Sequence, residues 1–185
     1  MIIWINGSFG AGKTTAAKNL SARVEGAGLF DPEEIGFLLR RITPGSLQPD
    51  FQDEPLWRQW TFDAIDEIAS RQQVTFVPMT LTNTQYFDEI VGRLREKGHE
   101  VHHVTLMTSK KTIRRRLHKR LEGRNSWAYQ QAETRLAALA SDWFAFHLET
   151  DDMSKEEVVQ ALALRFGLRL SSTRQGRLRI PFFER

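Results

Sequence analysis

The stretch that decides the fold is GSFGAGKT, residues 7–14, which fits the pattern G-x-x-x-x-G-K-[ST] at every fixed position. It follows the short apolar run IIWI (2–5) and leads into a segment, 13–25, whose apolar residues recur at helical spacing. A glycine-rich turn between a buried strand and a helix is where a phosphate-binding loop lies. The sequence therefore predicts a phosphate loop.

The residues of this loop also predict how it would bind ATP. Glycine permits backbone conformations in which several N–H groups point into one concave anion site, and the start of the helix adds a partial positive charge. Lys13 is expected to contact the β- and γ-phosphates, and Thr14 to offer its hydroxyl to Mg²⁺. The alternative is a glycine-rich turn that binds no ligand. The residues predicted to bind the nucleotide here are Gly7, Ser8, Phe9, Gly10, Ala11, Gly12, Lys13, Thr14 and Thr15.

Beyond the loop, apolar runs alternate with segments of helical periodicity. Further strands are expected at 28–31, 74–79, 101–107 and 144–150, with helices between them. Near-continuous apolar strands separated by helices indicate a parallel sheet covered on both faces. The sequence therefore predicts an α/β fold with a doubly wound, five-stranded parallel sheet. We expect one domain over residues 1–168 and a basic tail over residues 169–185.

The composition is that of an ordinary globular protein, with 185 residues of which 41% are hydrophobic and 26% charged. The absence of cysteine excludes disulfides, thiol catalysis and cysteine-ligated metal sites. No apolar run is long enough for a transmembrane helix, and the N-terminus MIIWINGSFG does not resemble a signal peptide. The expected location is therefore the cytoplasm.

The positive charge is concentrated in two short segments. The chain has a net charge of +3, but residues 110–124 contain eight Lys or Arg and one Glu, and the tail 169–185 contains five Arg and one Glu. The rest of the chain is therefore acidic overall. This distribution is unlike the broad basic face of a nucleic-acid-binding protein, so we expect a small anionic ligand and no nucleic-acid partner.

Other motifs bear on the class of phosphate-loop protein. No Asn is followed by Lys, so the N-K-x-D motif of Ras-like GTPases is absent. The third and fourth predicted strands contain no acid, which argues against ABC-type and AAA-type motors. Asp31, at the expected end of the second strand, is the predicted catalytic carboxylate, because ligands of open parallel sheets bind outside the strand ends. The alternative for Asp31 is the N-cap of a helix that begins with DPEE.

The basic segment 109–126 is predicted to form a helical lid. Arg116 and Arg120 lie four residues apart on one helix face, where they would neutralise charge on the transferring phosphoryl group. This predicted lid resembles the helical hairpin that forms the lid of adenylate-kinase-like and shikimate-kinase-like enzymes. Arg114 and Arg115 are expected to face solvent. The alternative is a solvated basic helix.

The resemblance to these kinases also suggests roles for two other regions. Asp151 lies in ETDDMS (149–154), where such kinases pass their backbone around the adenine. The segment 32–72 corresponds to the part that covers the acceptor, where aromatic rings can stack on a base and arginines can bind polar linkages. For its tryptophans the alternative is packing in the core. The predicted substrate-binding residues are Asp31, Arg40, Phe51, Trp57, Arg58 and, just past the third strand, Thr80.

Taken together, the motifs resemble the tunicamycin resistance ATP-binding proteins, from residue 1 to about residue 165. The resemblance rests on MIIWINGSFGAGKT (1–14), DPEEIGFLLR (31–40), DFQDEPLWR (50–58), VPMT (77–80), YFDEIVGRLREKGHEVHHVTLM (86–107) and RLHKRLEGRNSWA (116–128). It implies ATP binding and resistance to tunicamycin, a nucleoside antibiotic with a uridine head and a fatty acyl tail. Members of this family can also carry an amphipathic C-terminal segment for peripheral membrane contact; the tail here is basic and carries Phe182 and Phe183, whereas Pro181 and its short length argue against that role.

Three functions remain open from the sequence. The leading one is Mg²⁺-ATP-dependent phosphoryl transfer to a hydroxyl of a nucleoside-type antibiotic or a similar small molecule, with Lys13, Asp31, Arg116 and Arg120 as catalytic residues. The second is ATP-dependent sequestration of tunicamycin without chemistry, which the single candidate acid favours. The third is a metabolite or nucleotide kinase.

Overall fold

Five strands form one sheet in which every neighbouring pair is parallel. The computed structural model describes residues 1–43, 45, 49–119 and 126–171. The strands are β1 (Ile2–Gly7), β2 (Ala27–Leu29), β3 (Val74–Pro78), β4 (Val101–Met107) and β5 (His147–Glu149). Their order is β2-β3-β1-β4-β5, with β1 paired to β3 on one side and to β4 on the other. The order runs outward in both directions from β1, so the predicted doubly wound sheet is confirmed, and the phosphate loop follows its central strand.

Helices connect the strands and cover the sheet. They are α1 (Lys13–Ser21), α2 (Glu33–Ile42), α3 (Pro55–Arg71), α4 (Thr84–Phe87), α5 (Arg93–Glu96), α6 (Lys110–Lys119), α7 (Trp127–Leu139) and α8 (Lys155–Arg165). A π-helical segment, Asp88–Gly92, joins α4 to α5, so the single helix expected here is continuous but contains a wider turn. Short 3₁₀ helices occupy Phe51–Asp53 and Asp142–Phe144. Within the described part of the chain, no helix has both the length and the apolar character needed to cross a bilayer.

The core consists of two layers, one on each face of the sheet. Successive residues of a strand point to opposite faces, so Ile2 and Trp4 belong to the cluster with α3 and the α4–α5 segment, whereas Ile3 and Ile5 belong to the cluster with α1 and α8. All four side chains are fully buried. The run IIWI is therefore apolar throughout because both of its faces are covered.

Two expected boundaries differ from the observed ones by three residues or more. Helix α1 ends at Ser21 rather than Glu25, although Val24 remains buried in the core. Residues 144–146, expected to begin the last strand, lie outside β5, and Phe144 ends a 3₁₀ helix instead. In both places the apolar pattern indicates which side chains are buried. A side chain can be buried without its backbone continuing the helix or the strand.

Two predictions fall on residues that the structure leaves undescribed. Arg120 lies outside the described residues, and of the tail 169–185 only residues 169–171 are described.

Candidate active site

The phosphate loop connects the end of β1 to the first turn of α1. Gly7, Gly10 and Gly12 have φ angles of 146°, 79° and 106°, which residues other than glycine rarely adopt. At Gly7 a Cβ atom would also lie 2.9 Å from the carbonyl oxygen of Leu106 in β4. The close approach of β4 to the loop therefore requires glycine where the motif begins.

Lys13 folds back over this loop. It is the first residue of α1 and only 8% exposed. Its Nζ donates a hydrogen bond to the carbonyl oxygen of Ser8, at 3.2 Å, and lies 5.7 Å from the centre of the Phe9 ring. Thr14 and Thr15 follow on the same turn and are half-buried. The ammonium group and the start of the helix thus place positive charge at one concave site.

Asn6 holds the start of the loop against the end of β3. Its Oδ1 accepts hydrogen bonds from the N–H groups of Gly7, at 2.9 Å, and Leu81, at 3.0 Å, while its Nδ2 donates to the carbonyl oxygen of Leu81 at 2.8 Å. Thr80 donates its hydroxyl to the carbonyl oxygen of Gly7 at 2.7 Å and is 1% exposed. The prediction that Thr80 binds substrate is therefore corrected, since its buried side chain positions the loop.

His103 of β4 completes this support. Its Nε2 lies 3.3 Å from Nδ2 of Asn6, and its Nδ1 lies 3.2 Å from the carbonyl oxygen of Ala145. A ring protonated on Nδ1 can donate to Ala145 and accept from Asn6. Burial lowers the pKa of His103 to about 4, because the charged ring would lose its hydration. The neutral ring that this arrangement needs is therefore the stable form at physiological pH.

Arg116 brings a guanidinium group to the loop. Its Nη1 donates to the carbonyl oxygens of Ala11, at 3.0 Å, and Gly10, at 3.3 Å. Helix α6 is held here by an apolar cluster with α7 and the loop, formed by Ile113, Leu117 and Ala132 with Phe9, Tyr129 and Leu136 around them. This is the region in which the sequence places the nucleotide-binding arginines.

The two arginines before Arg116 have different surroundings, although both were expected to face solvent. Arg114 forms an ion pair with Glu133 of α7, which Lys110 also contacts at 3.3 Å. Arg115 lines a cavity beside the loop. Arg115 is exposed, as expected, and its position on α6 also gives it access to the cavity.

This cavity has a volume of about 450 Å³ and lies between the phosphate loop, α6 and the start of α8. It is lined by Gly10, Ala11, Gly12, Thr15, Ala16, Arg115, Arg116, Lys119, Thr150, Met153, Lys155 and Val158. Among these described lining residues four are cationic and none is acidic. The cavity can therefore accept an anion at the loop and a flat, less polar group beside Met153 and Val158.

Asp151 does not line the cavity with its neighbours Thr150 and Met153. Its Oδ1 accepts hydrogen bonds from the hydroxyl of Thr108 and from the N–H of Ser109, at 2.8 Å for the latter. These hydrogen bonds hold the pKa of Asp151 well below its usual range. The Asp151 side chain therefore fixes the turn after β5 to the start of α6, and nucleotide binding by Asp151 stays a prediction.

Asp31 lies two residues past β2, at the start of α2. Its Oδ1 accepts a hydrogen bond from the N–H of Glu33, the first residue of α2, at 3.1 Å, so the side chain stabilises the start of the helix from one residue before the N-cap, Pro32. Burial raises the pKa of the Asp31 carboxyl, and this effect outweighs the hydrogen bond from Glu33 and the attraction of Lys13 and Lys18, which lower it. A half-buried carboxylate of raised basicity within the field of Lys13 is also suited to accept a proton.

Two of the predicted substrate-binding residues are part of the core. Trp57 is fully buried, and its Nε1 donates to the carbonyl oxygen of Pro32 at 3.0 Å. Arg58 is 9% exposed; its Nε contacts Glu89 at 2.5 Å, and its Nη1 donates to the carbonyl oxygen of Gln52 at 2.7 Å. The substrate-binding predictions for Trp57 and Arg58 are therefore corrected, because both side chains hold α3 in place.

Arg40 and Phe51 remain accessible. The guanidinium carbon of Arg40 lies 5.5 Å from the centre of the Phe51 ring, and its Nη2 donates to the carbonyl oxygen of Pro49 at 2.8 Å. Phe51 is half-buried and packs close to Gly36 of α2, where a Cβ atom would lie 2.6 Å from the ring. The segments around Asp31 and Phe51 are thus packed together.

Arg135 of α7 is a residue that the sequence did not single out. It is 9% exposed, forms an ion pair with Asp50 and donates to Oγ1 of Thr82 at 3.3 Å. Its spacing could have revealed it, because Arg135 follows Ala132 by three residues and precedes Leu139 by four, on the buried side of the helix. An arginine on an apolar face signals a buried partner.

The phosphate loop therefore has two distinct surroundings. We use "nucleotide side" for the cavity with Arg115 and Arg116, and "acceptor side" for the region of Asp31, Phe51 and the Asp50–Arg135 pair.

With this geometry in place, the chain can be compared with known proteins. The model of the family described as AAA domain matches residues 2–146. The structure of the tunicamycin resistance protein of Deinococcus radiodurans is 31% identical, with a TM-score of 0.77 over 93% of this chain and 99% of that one. No curated protein matches the chain. The chain matches the AAA-domain model although β3 and β4 end without an acid. The absence of paired acids at these strand ends therefore does not exclude this family.

More distant structures share the fold alone. A sugar kinase from Janibacter is 18% identical, with a TM-score of 0.65 over 90% of this chain and 94% of that one. The APS kinase of Mycobacterium tuberculosis, in complex with AMPPNP and APS, is 17% identical, with a TM-score of 0.62 over 90% of this chain and 96% of that one. These similarities confirm a phosphate-loop, kinase-like fold.

Proposed function

The chain belongs to the AAA-domain family and to the family of the Deinococcus radiodurans tunicamycin resistance protein, and on this premise we propose that it binds Mg²⁺-ATP and phosphorylates tunicamycin or a similar nucleoside-type small molecule. The observation that carries the proposal is the folded-back Lys13 on a complete phosphate loop, beside a cavity of about 450 Å³ with four cationic lining residues. The geometry suits a nucleoside triphosphate: the loop would hold the phosphates, and the cavity the nucleoside.

On the nucleotide side, the chain's own residues would bind and neutralise the phosphates. The loop amides and the start of α1 would hold the oxygens, and Lys13 would exchange its contact with Ser8 for the β- and γ-phosphates. Arg116, now donating to the loop carbonyls, would turn toward the γ-phosphate, and we propose the same role for Arg120. We assign the lid to residues 109–126.

The residues present fit Mg²⁺, which takes few protein ligands when phosphate oxygens complete its shell. Thr14 offers a half-buried hydroxyl directly after Lys13, and Asp31 offers a carboxylate for the water shell. Bound there, Mg²⁺ would neutralise charge on the β- and γ-phosphates.

On the acceptor side, Asp31 would orient the substrate hydroxyl and take its proton. The hydroxyl oxygen would form a bond to the γ-phosphorus as the bond from phosphorus to the β–γ bridging oxygen breaks, releasing ADP. The raised pKa of Asp31 makes its carboxylate a stronger base than an exposed aspartate. Residues 32–72 would cover the acceptor, with Arg40 and Phe51 at its surface.

The test is mass spectrometry of tunicamycin incubated with the protein, Mg²⁺ and ATP. We expect a product heavier by one phosphoryl group, formed only when ATP is present, and no product with the Lys13→Ala variant. If tunicamycin stays unmodified after incubation with excess ATP and protein, phosphoryl transfer is contradicted.

A second candidate is ATP-dependent sequestration of the drug without chemistry. The observation that favours it is that β3 ends at Pro78 and is followed by the buried residues Met79 and Thr80, so this strand supplies no second carboxylate near the loop. In that case calorimetry would detect tunicamycin binding that requires ATP, with stoichiometric retention of unmodified drug. A metabolite or nucleotide kinase would instead phosphorylate another acceptor and leave tunicamycin unchanged and unbound.

A further inference from the structure

The guanidinium group of Arg135 lies beside the phosphate loop but does not line the cavity. The Phe9 ring has Lys13 Nζ 5.7 Å from its centre and the guanidinium carbon of Arg135 5.8 Å from it. Neither Phe9 nor Arg135 is among the residues that line the cavity. Arg135 therefore lies near Lys13 and the phosphate loop but outside the cavity.

Two of the three nitrogen atoms of this guanidinium have protein partners. Nη2 is paired with Asp50, and Nη1 donates to Thr82. The third, Nε, is buried and has no hydrogen-bond partner among the described residues. A buried N–H group without a partner is uncommon, because it has lost its hydration and gained nothing in exchange. The Nε–H group is therefore a donor that a ligand oxygen can satisfy.

Trp127 supplies an aromatic surface next to this donor. Its ring is 5.5 Å from the guanidinium carbon of Arg135 and meets Phe9 edge to face, with ring centres 5.3 Å apart. Trp127 is 40% exposed, so part of its surface is open to a ligand. A flat base or the C–H face of a sugar ring packs well on such a surface.

The charge of Arg135 is already neutralised where it lies. Asp50 is only 15% exposed at its side chain, and its Oδ1 accepts a hydrogen bond from the N–H of Gln52 at 3.1 Å. That hydrogen bond helps to hold the carboxylate against the guanidinium. Because Asp50 neutralises Arg135, an anionic ligand at Nε would gain little net attraction and would still lose its hydration in a poorly hydrated place.

We propose that Arg135, Asp50 and Trp127 form an acceptor subsite that selects an uncharged, ring-bearing, hydroxylated compound, such as a nucleoside or glycoside, over its phosphorylated or carboxylated counterpart. This inference rests on the proposed function, whose acceptor it describes. A ligand oxygen accepts from Nε of Arg135 while the ring packs on Trp127, and Asp50 cancels the charge that would otherwise attract an anion.

The test compares uridine with uridine 5′-monophosphate, a pair that differs by one phosphate group. Both are titrated in the presence of Mg²⁺ and a saturating non-hydrolysable ATP analogue, so that neither occupies the nucleotide side. We expect the wild-type protein to bind uridine at least tenfold more tightly. Asp50→Asn removes the carboxylate charge but keeps an acceptor for Nη2, and should lower this preference at least tenfold. Circular dichroism checks that the variant is folded.

Arg135→Met should weaken uridine binding at least tenfold while leaving affinity for the ATP analogue unchanged. The matched control is Arg93→Met, because Arg93 also packs on an aromatic ring, Phe62 at 3.9 Å, and donates to Gln59 away from the loop. It should change neither affinity. Tighter binding of the monophosphate by the wild-type protein, which needs no variant, would overturn the proposal. So would an unchanged preference in folded Asp50→Asn.

These outcomes differ from those that test the proposed function. Unmodified tunicamycin in the mass measurement, together with a preserved preference for uridine, would reject phosphoryl transfer and leave the subsite standing. Absence of binding by both uridine compounds would reject the subsite, whatever the mass measurement gives.

Discussion

On the nucleotide side of the phosphate loop, four cationic side chains line the cavity, and none of the described lining residues is acidic. On the acceptor side, by contrast, the buried Arg58 and Arg135 each contact a carboxylate. The first arrangement leaves a net positive field, which attracts a polyanion. In the second arrangement the arginines form ion pairs that hold chain segments together, so the acceptor side has little net charge. Arginine content alone therefore does not reveal where an anion binds.

The largest effect is expected from the acceptor-side carboxylate. Asp31→Asn should lower the turnover number about 100-fold or more, because an amide cannot accept a proton, while ATP affinity stays within about threefold. The raised pKa of Asp31 should give the wild-type rate an acid limb above the usual aspartate range, with activity rising as the carboxyl loses its proton. Turnover measured against pH checks both points. Full activity in Asp31→Asn would leave Asp31 only its role at the start of α2.

The second prediction sets a buried ion pair against an exposed one. Asp50→Ala should lower the free energy of unfolding by about 3 kcal/mol, because it leaves the guanidinium of Arg135 buried without its carboxylate. Adding Arg135→Met to this variant should recover most of the loss. Glu133→Ala, which breaks the pair with Arg114 on the surface, should hardly change the unfolding midpoint. Urea denaturation of the four proteins tests this, and equal losses at both pairs would refute it.

The third prediction concerns the loop. Lys13→Ala should weaken Mg²⁺-ATP binding about 100-fold, or about 2.7 kcal/mol, because we propose that its ammonium contacts the β- and γ-phosphates. Lys18→Ala, an exposed lysine of the same helix, is the control and should bind ATP normally. Calorimetry gives both affinities. Nucleotide binding by Lys13→Ala equal to that of the wild type would remove the basis for a nucleotide site here.

The smallest effect is expected within α6. Arg116→Ala should weaken Mg²⁺-ATP binding about tenfold, or about 1.4 kcal/mol, because Arg116 reaches the loop, whereas Arg114→Ala should change it little, because Arg114 pairs with Glu133. Arg115→Ala should weaken Mg²⁺-ATP binding by an intermediate amount, since Arg115 lines the cavity. Nucleotide should also slow hydrogen exchange over residues 110–119. Equal, small effects at all three arginines would indicate a solvated basic helix instead.

The sequence predicts the local geometry of the loop, where the conformation of each residue depends on its own neighbours. The position of Lys13 follows from GSFGAGKT, because glycine conformations and the adjoining strand and helix are local properties. The same reasoning misplaced Trp57, because helical spacing identifies a face but not whether substrate or core meets it. It missed Asn6, whose partners Leu81 and His103 are far away in the sequence.

The sequence by itself determined the phosphate loop, the parallel sheet and the family, because these depend on short patterns of glycine, apolar runs and helix starts. Only the tertiary structure decided which cations face an open cavity and which are neutralised. Asp50 and Arg135 lie 85 residues apart, and their pairing depends on how α7 packs beside the loop. Electrostatic neutralisation depends on distances between atoms after folding, and no local pattern of residues encodes those distances.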